Sequence, residues 1–375
     1  MKNAKVAILG AGQIGRALYK ILTDLSILSA RSGHRMILYS DIDAFVIDSS
    51  RENIEKLVYG DHILLDLQTS TVQEISQILI DQKITHVINA LPFSLNEKIA
   101  IASIAANCSY IDFTEDDVMA DRVQKLFQDT NLNCAVKCGL APGFINYIGY
   151  NLVGKIDTPD SLMISVGALP RNVSYDINHP EHSYNLTWSV DGLVNEYTRP
   201  CRIRRDGQLM EVPALSNLIK VILDGAEFEA SYTSGGIGNL ARDLVNVPNV
   251  SYMTLRYPGH FSYVKEAIKE SNNNFIKLRY TFLEKFPFID DDMIIAYATV
   301  TGKDKNGIFT RRSYSNRFYG VDGLTGIQAT TAGSGIAILE LMLQGKLQGI
   351  VNHNEVSLAD FTSTIAFGKY YKTGE

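Results

Sequence analysis

Cysteine, clustered histidine and basic runs are scarce in this sequence, and each shortage excludes a class of protein. Only four cysteines occur among 375 residues, and Cys134 and Cys138 do not have the spacing of a CxxC pair. His179 and His182 lie close together, but no cluster of cysteine or glutamate stands beside them. We therefore expect no bound metal. The low cysteine count also fits a reduced cytosol.

Charge and hydropathy narrow the class further. The net charge is −6 at pH 7, and no run of lysine and arginine exceeds two residues, which argues against nucleic-acid binding. The first residues lead directly into an apolar strand-like run and lack the regions of a secretory signal. We find no apolar run that approaches the length of a membrane span. We expect a soluble, cytoplasmic protein of two domains that contacts neither nucleic acid nor membrane.

The segment KVAILGAGQIGRALYKIL, residues 5–22, is the strongest local signal in the chain. Its apolar start predicts a buried parallel strand, and apolar residues at helical spacing follow. The strand and the helix are joined by a G-x-G-x-x-G turn that includes Gly10, Gly12, Gln13, Ile14 and Gly15. In this order the glycines permit a tight turn, the approach of a pyrophosphate and close packing of the helix. The motif predicts dinucleotide binding at the helix N-terminus.

Acidic residues follow the next two predicted strands. Residues 35–40 (RMILYS) predict a second strand, and Asp41 at its end is typical of an acid that binds both ribose hydroxyls. Because such an acid repels a 2′-phosphate, Asp41 favours NAD over NADP. Residues 62–67 predict a third strand with Asp66 as a candidate contact to the adenine edge. The alternative is that Asp66 is a loop acid or a helix cap.

Two further strand ends should lie beside the cofactor, because ligands of doubly wound sheets bind at the carboxyl ends of the strands. The fourth predicted strand, residues 85–93, ends in a segment that includes Asn89, Ala90, Leu91 and Pro92. The fifth, residues 109–116, contains Asp112 and Glu115. Of these two acids, Asp112 is the better candidate for the active site, because Glu115 also suits the cap of a following helix.

The order of elements predicts an α/β protein with a second domain of a different kind. Alternating strands and helices over residues 1–143 indicate a doubly wound parallel sheet that binds NAD(P). Over residues 144–325 we predict an α+β domain with an open antiparallel sheet and helices on one face. The C-terminal helices, about residues 326–375, should return to the first domain.

Seven stretches carry a family resemblance when they are taken in chain order. They are GAGQIG, NALPFSLN, YIDFTED, CGLAPGF, TWSVDGLVNEYTRP, YTSGGIGNL and TLRYPGH. The sequence resembles the saccharopine dehydrogenase family, and within it the lysine 6-dehydrogenase-like members. The resemblance implies a Rossmann domain and an α+β domain with homodimer contacts. It also implies hydride transfer between a nicotinamide and the amine carbon of an amino-acid substrate.

The resemblance also implies roles for side chains of the second domain. Candidate substrate-binding residues are Trp188, Glu196, Arg256 and Tyr257. An arginine such as Arg256 can bind a substrate carboxylate through two parallel hydrogen bonds. The alternative is structural: Arg256 pairs with an acid such as Glu196, and His260 caps a helix.

The predicted reaction requires a base, since an amine carbon releases hydride only after the nitrogen has lost its proton. Asp112 is the first candidate for this base and His260 is the second. Hydride transfer would then give an imine, and water would convert it to an aldehyde and an amine. Lysine and saccharopine are both candidate substrates. Alternatives are a polyamine imine, as in carboxynorspermidine dehydrogenase, and a non-catalytic NAD-binding sensor or assembly protein.

Overall fold

A computed structural model describes residues 4–31, 39, 42–57, 61–171, 184, 186–286 and 288–374 of the chain. The chain forms two compact units. The first unit contains Met1–Gly143 together with Thr330–Tyr371. The second contains Phe144–Ala329 and the last residues, Lys372–Glu375. The first unit is therefore assembled from two stretches that are far apart in the sequence.

A parallel sheet of seven strands forms the centre of the first unit. Its strands are β1 (Ala4–Leu9), β2 (Ile42–Asp48), β3 (Asp61–Leu64), β4 (His86–Asn89), β5 (Ser109–Asp112), β6 (Cys134–Ala135) and, near the end of the chain, β15 (Ile350–Val351). Across the sheet they follow the order 15-6-5-4-1-2-3. The part 3-2-1-4-5-6 is the order of a Rossmann fold, so the predicted doubly wound sheet is confirmed.

Helices connect these strands and complete the first unit. They are α1 (Gln13–Arg31), α2 (Arg51–Glu55), α3 (Val72–Asp81), α4 (Asn96–Ala105), α5 (Asp117–Phe127), α11 (Gly326–Leu343), α12 (Leu358–Thr362) and α13 (Ile365–Tyr370). Local sequence explains where several of them begin. Ser50 caps α2, Thr71 and Glu74 form a capping box for α3, and Asp116 caps α5. Each cap satisfies backbone N–H groups that the first helical turn leaves unpaired.

An eight-stranded sheet forms the second unit. Its strands are β7 (Thr158–Pro170), β8 (Cys201–Arg205), β9 (Gln208–Val212), β10 (Ile219–Leu223), β11 (Ala226–Tyr232), β12 (Asn249–Arg256), β13 (Asp292–Lys303) and β14 (Phe309–Tyr319). The main path is 10-11-12-7-13-14, and the β8–β9 hairpin attaches to β12. Because β7 and β12 run parallel, the sheet is mixed and the antiparallel prediction is wrong at this pair. A parallel pair needs a long crossover, and 78 residues separate the two strands.

Five helices of the second unit are α6 (Phe144–Val153), α7 (Val190–Thr198), α8 (Leu240–Asp243), α9 (His260–Glu270) and α10 (Phe275–Lys285). Side chains of α7, α9 and α10 form one buried cluster that includes Leu193, Phe261 and Phe282. Side chains of the strands form another, which includes Leu255 and Ile295. Because successive residues of a strand point to opposite faces, β12 contributes Leu255 to one side and Arg256 to the other.

Several local predictions differ from the structure. The second strand, β2, pairs with β1 and lies after the predicted segment 35–40; most of that segment lies outside the described residues. Residues 201–212 form the β8–β9 hairpin rather than one strand, because the Asp206–Gly207 turn reverses the chain with positive φ at both residues. The sequence analysis also predicted neither the helix α6 nor the strand β10.

Helix α11 is long and apolar enough to cross a membrane by length and composition alone. Its mean hydropathy is 1.2 over 18 residues, but 78% of that window is buried inside the structure. Its first residues belong to the second unit, and the residues from Thr330 onward belong to the first. Burial of this kind is typical of a core helix, which is apolar on all sides because protein surrounds it.

The side chain of Asp292, on β13, caps the first turn of helix α11, and a substitution there tests how the helix start is held. Its carboxylate accepts the N–H groups of Gly326 and Ile327, the latter at 3.0 Å, and the side chain is buried. We expect D292A to lower the free energy of unfolding by about 2 kcal/mol, because two buried donors lose their acceptor. The neighbouring and largely exposed Asp291 supplies the control, and D291A should change stability by less than about 0.5 kcal/mol. Equal losses in chemical denaturation would contradict this role of Asp292.

Candidate active site

The turn between β1 and α1 has the geometry of a pyrophosphate-binding turn. Gly10 has a φ of +94°, a region that favours glycine. A Cβ atom at Gly15 would lie 1.7 Å from the carbonyl oxygen of Gly10, so the helix approaches the turn as only glycine permits. A Cβ atom at Gly12 would meet no atom within 4 Å, so this side of the turn is open. With the partly buried Gln13 and Ile14 in the first turn of α1, these residues fit the phosphates of a dinucleotide.

Asp48, at the carboxyl end of β2, ties the second strand to this glycine turn. Its Oδ2 accepts the N–H of Ala11 at 2.5 Å, and its Oδ1 accepts the N–H of Ser50 at 2.6 Å. An acid at this strand end is the one that meets the adenosine ribose in a Rossmann fold. Asp41, to which the sequence assigned that role, lies outside the described residues. Asp48 is therefore a candidate for the ribose-facing position, and the role of Asp41 stays a prediction.

Asp66 lies two residues beyond β3, and its carboxylate accepts hydrogen bonds from its own loop. Its carboxylate accepts the N–H of Gln68 at 2.9 Å and the hydroxyl of Thr69 at 3.0 Å. These bonds, the one from the Gln68 backbone first, hold the pKa of this exposed carboxyl below its usual value. The geometry matches the loop-acid alternative, and a contact from Asp66 to the adenine stays a prediction.

The segment after β4 lies against the glycine turn. The N–H of Ala90 donates to the carbonyl oxygen of Leu9 at 2.8 Å. A Cβ atom at Gly10 would lie 3.0 Å from Cδ2 of Leu91 and 3.1 Å from the carbonyl oxygen of Ala90. Pro92, the next residue, is exposed. The structure thus brings together two segments that the sequence assigned separately to the cofactor.

Asp112, the first candidate for the catalytic base, ends β5 as a fully buried side chain. Its Oδ1 accepts the N–H groups of Thr114 at 3.1 Å and Lys137 at 3.0 Å. Its Oδ2 accepts Nδ2 of Asn96 at 2.9 Å and the hydroxyl of Tyr110 at 3.1 Å. Four hydrogen bonds occupy the usual acceptor positions of a carboxylate.

The environment of Asp112 acts on its pKa in opposing directions. Burial raises the pKa to about 6, while the hydrogen bonds and the charge of Lys137 act to lower it. A value near neutrality is the property expected of a base, but the occupied lone pairs give Asp112 a structural function in this geometry. Its catalytic role stays a prediction.

In the second unit, Arg256 is buried and paired with Glu196, as the structural alternative predicted. One guanidinium nitrogen lies 3.5 Å from Oε2 of Glu196, and Nε donates to the hydroxyl of Tyr197 at 2.8 Å. The guanidinium also lies 4.7 Å from the ring centre of Tyr184. Thr254 donates to the second carboxylate oxygen of Glu196. Removing either charge would leave its partner buried without compensation.

His260 lies beside this ion pair and is also enclosed. Its Nε2 is 3.0 Å from the hydroxyl of Tyr197, and its ring centre lies 4.8 Å from that of Tyr184 and 5.6 Å from that of Phe286. Burial first, and then the charge of Arg256, hold the pKa of His260 well below its usual value. The imidazole is therefore neutral at pH 7. His260 is the first residue of α9, and the cap itself is Gly259.

The remaining two candidates of the second unit pack at the edges of its apolar clusters. The half-buried Trp188 lies against Gly192, where a Cβ atom would come within 2.3 Å of the indole ring. Tyr257 stacks on Phe228 and donates through its hydroxyl to the carbonyl oxygen of Pro170 at 3.0 Å. A substrate contact for either residue stays a prediction.

Two acids and an amide shape these sites although the sequence gave them no role. Glu229 accepts the N–H groups of Gly259 at 3.0 Å and Phe261 at 2.6 Å, and so fixes the turn before α9. Asn96 joins Asp112 to the segment after β4. Asp48 could have been found from the sequence, because it follows the apolar run FVI. The second strand was instead predicted at the preceding apolar run, RMIL.

The open side of Gly12 gives a direct test of the glycine turn. We expect G12A to keep the stability of the unliganded protein, because the added methyl group meets no atom of the chain, and to lose dinucleotide binding. G15A should lose both, because its methyl group would collide with the backbone of Gly10. G368A is the matched control, since its Cβ atom also meets no neighbour. Thermal unfolding and NADH fluorescence titration measure the two effects, and unchanged NADH binding in G12A would refute the assignment.

Comparison with solved structures shows which known fold this is. Saccharopine dehydrogenase (L-Glu forming) from Saccharomyces cerevisiae superposes with a TM-score of 0.75 at 15% identity, over 99% of each chain. Homospermidine synthase from Legionella pneumophila, solved in complex with NAD, superposes with a TM-score of 0.65 at 14% identity, over 99% of this chain and 90% of that one. At these identities the two likenesses show a shared fold.

A family model assigns the chain more closely. The model described as the saccharopine dehydrogenase C-terminal domain matches residues 139–365, which is well over half of the sequence. The match begins in the CGLAPGF stretch and contains TWSVDGLVNEYTRP, YTSGGIGNL and TLRYPGH, on which the resemblance rested. This chain belongs to the saccharopine dehydrogenase family.

Proposed function

We propose that this protein is an NAD(P)-dependent oxidoreductase that acts on the CH–NH bond of an amino acid. The main support is a glycine turn that is open at Gly12, in a chain of the saccharopine dehydrogenase family. The turn supplies the place for a dinucleotide, and family membership indicates the type of bond. The alternative, a non-catalytic NAD-binding sensor or assembly protein, would need the same turn, so turnover and not cofactor binding separates the two functions.

The residues of the first unit fit the parts of a nicotinamide dinucleotide. Backbone N–H groups at the start of α1 would hold the pyrophosphate, and Asp48 would meet the adenosine ribose. The strand ends at Ala90 and Asp112 would meet the nicotinamide half. Bound there, the cofactor supplies the hydride acceptor. The chain would bind and orient the substrate amine and exclude water from it.

The amino-acid substrate is proposed to be lysine, with saccharopine as the alternative. The support is the order TWSVDGLVNEY, TSGG and TLRYPGH, which resembles lysine 6-dehydrogenase-like members. A polyamine imine is a second candidate, because the fold also matches homospermidine synthase. In the oxidation of lysine or saccharopine, the substrate nitrogen must lose a proton before hydride leaves carbon, so the rate of oxidation should rise with pH until the base is ionised.

A substrate comparison tests this function. We expect NADH to form when the purified protein is mixed with NAD and L-lysine, and G12A to form none under the same conditions. Turnover with saccharopine and not lysine would move the protein to the branch that cleaves a secondary amine. Failure in both directions, with either cofactor and with all three substrate classes, would overturn the proposed function.

The preference between the two cofactors depends on Asp48. We expect the wild-type protein to bind NADH at least about tenfold more tightly than NADPH, because a carboxylate at the end of β2 repels a 2′-phosphate. D48N should narrow this ratio, whereas D43N, on the exposed side of the same strand, should leave it unchanged. Fluorescence titrations with both cofactors measure the ratio, and tighter binding of NADPH by the wild type would show that the argument is wrong.

A further inference from the structure

A chain of buried side-chain amides joins the carboxylate of Asp112 to the segment after β4. Nδ2 of Asn96 donates to Oδ2 of Asp112 at 2.9 Å, and Nδ2 of Asn89 donates to Oδ1 of Asn96 at 2.9 Å. The chain ends at Leu91, whose N–H donates to Oδ1 of Asn89 at 3.2 Å. None of the three polar side chains is more than 2% exposed. We call Asp112, Asn96 and Asn89 the amide relay.

The charge of Asp112 sets the direction of every hydrogen bond in the amide relay. An ionised carboxylate only accepts, so Asn96 must present its nitrogen to Asp112 and its oxygen to Asn89. Asn89 must then donate to Asn96, which leaves its own oxygen for the N–H of Leu91. Reversing one amide would place two donors or two acceptors against each other where no water competes.

Backbone groups hold the carboxylate end of the relay in place. The N–H groups of Thr114 and Lys137 both donate to Oδ1 of Asp112, so this oxygen must remain an acceptor. Tyr110 contacts the relay at two points, because its hydroxyl donates to Asp112 and accepts from Asn89 at 2.9 Å. The tyrosine strengthens the network, but the orientation of the amides follows from the carboxylate alone.

The other end of the relay reaches the glycine turn. Leu91 contacts Gly10 so closely that a Cβ atom there would lie 3.0 Å from Cδ2 of Leu91. Gly10 also donates its N–H to the carbonyl oxygen of Ile47, at the end of β2. A displacement of Leu91 is therefore transmitted to the turn that faces the pyrophosphate, since packed groups leave no free space to absorb it.

We propose that Asp112, Asn96 and Asn89 are positioning residues that hold the segment after β4 against the glycine turn, and so set the affinity for the dinucleotide. The proposal rests on the dinucleotide-dependent function proposed above. It gives Asp112 a role that needs its fixed charge and no proton transfer. Asn96 becomes a determinant of cofactor affinity, although it is buried at the start of a helix and would act only through Asp112 and Asn89.

The test exchanges the two ends of one hydrogen bond. In D112N the new amide must keep its oxygen toward Thr114 and Lys137, so its nitrogen faces the nitrogen of Asn96. Either these donors oppose each other, or Asn96 and Asn89 both turn and the conflict moves to Leu91. We expect the Kd for NADH to rise about tenfold. The double variant D112N/N96D places the carboxylate at position 96, where it accepts from both neighbours and restores the orientation of Asn89.

Two controls separate positioning from general loss of stability. Y110F removes two hydrogen bonds of the same network but leaves the amides oriented, so it should lower the melting temperature and change the Kd less than twofold. S103A removes a buried hydroxyl that donates to the carbonyl oxygen of Ile99 on the same helix, and should behave likewise. If D112N does not fold, N96A interrupts the relay while leaving Asp112 and its backbone donors intact, and the same rise in Kd is expected.

Recovery of NADH affinity to within about threefold of the wild type in D112N/N96D supports the relay. Recovery of turnover in the same variant shows that Asp112 acts through its charge and is not the base. Wild-type affinity in both D112N and N96A would overturn the relay while leaving the proposed function intact. A Kd that changes in proportion to melting temperature in all variants, Y110F and S103A included, would also overturn it. Failure of the wild-type protein to bind either NADH or NADPH would overturn both proposals.

Discussion

The turns of this protein depend on buried carboxylates that accept backbone N–H groups. Asp48 holds the glycine turn to the second strand, and Asp112 holds the loops after β5 and β6. Glu229 fixes the turn before α9, and Asp292 begins α11. Glu340, in the last turn of α11, accepts the N–H of Ile365, the first residue of α13, at 2.9 Å. In each case, one buried carboxylate accepts backbone N–H groups that a helix or strand does not satisfy.

This arrangement places negative charge where water does not reach it. Burial raises the pKa of both Asp112 and Asp292 to about 6, although backbone donors act in the opposite direction. A carboxylate with this pKa resembles a catalytic base when its titration is considered alone. The hydrogen bonds around Asp112 favour a structural function. A catalytic base needs a free lone pair to take a proton, whereas a carboxylate that holds backbone and side-chain donors in place has its lone pairs occupied. The same distinction applies to His260, whose neutral ring belongs to a buried aromatic cluster beside Arg256.

The sequence predicts the role of a residue well when the role depends on neighbouring residues, and poorly when it depends on contacts that folding brings together. Gly10, Gly12 and Gly15 were predictable, because their functions follow from the backbone of one turn. The parallel sheet was equally predictable, since β1, β4 and β5 contain short apolar runs and are each followed by a helix. The sequence favoured Asp41 over Asp48 as the acid at the end of the second strand, because two apolar runs, RMIL and FVI, lie close together. Two partners of Asp112, Asn96 and Lys137, come from segments that are distant in the sequence, and no spacing reveals that they meet this carboxylate.

The division of the first unit has a consequence for the order in which the chain is made. Residues up to Gly143 leave the ribosome first, yet β6 at the edge of their sheet pairs with β15, more than 200 residues later. Helix α11 is missing as well at that stage, and its Gly335 lies against Phe113 of the first segment. The second unit, by contrast, is nearly continuous from Phe144 to Ala329 and is complete earlier in translation. The first unit is therefore finished after the second, although most of its residues are made earlier, and a nascent chain stalled in the second unit would expose an open sheet edge.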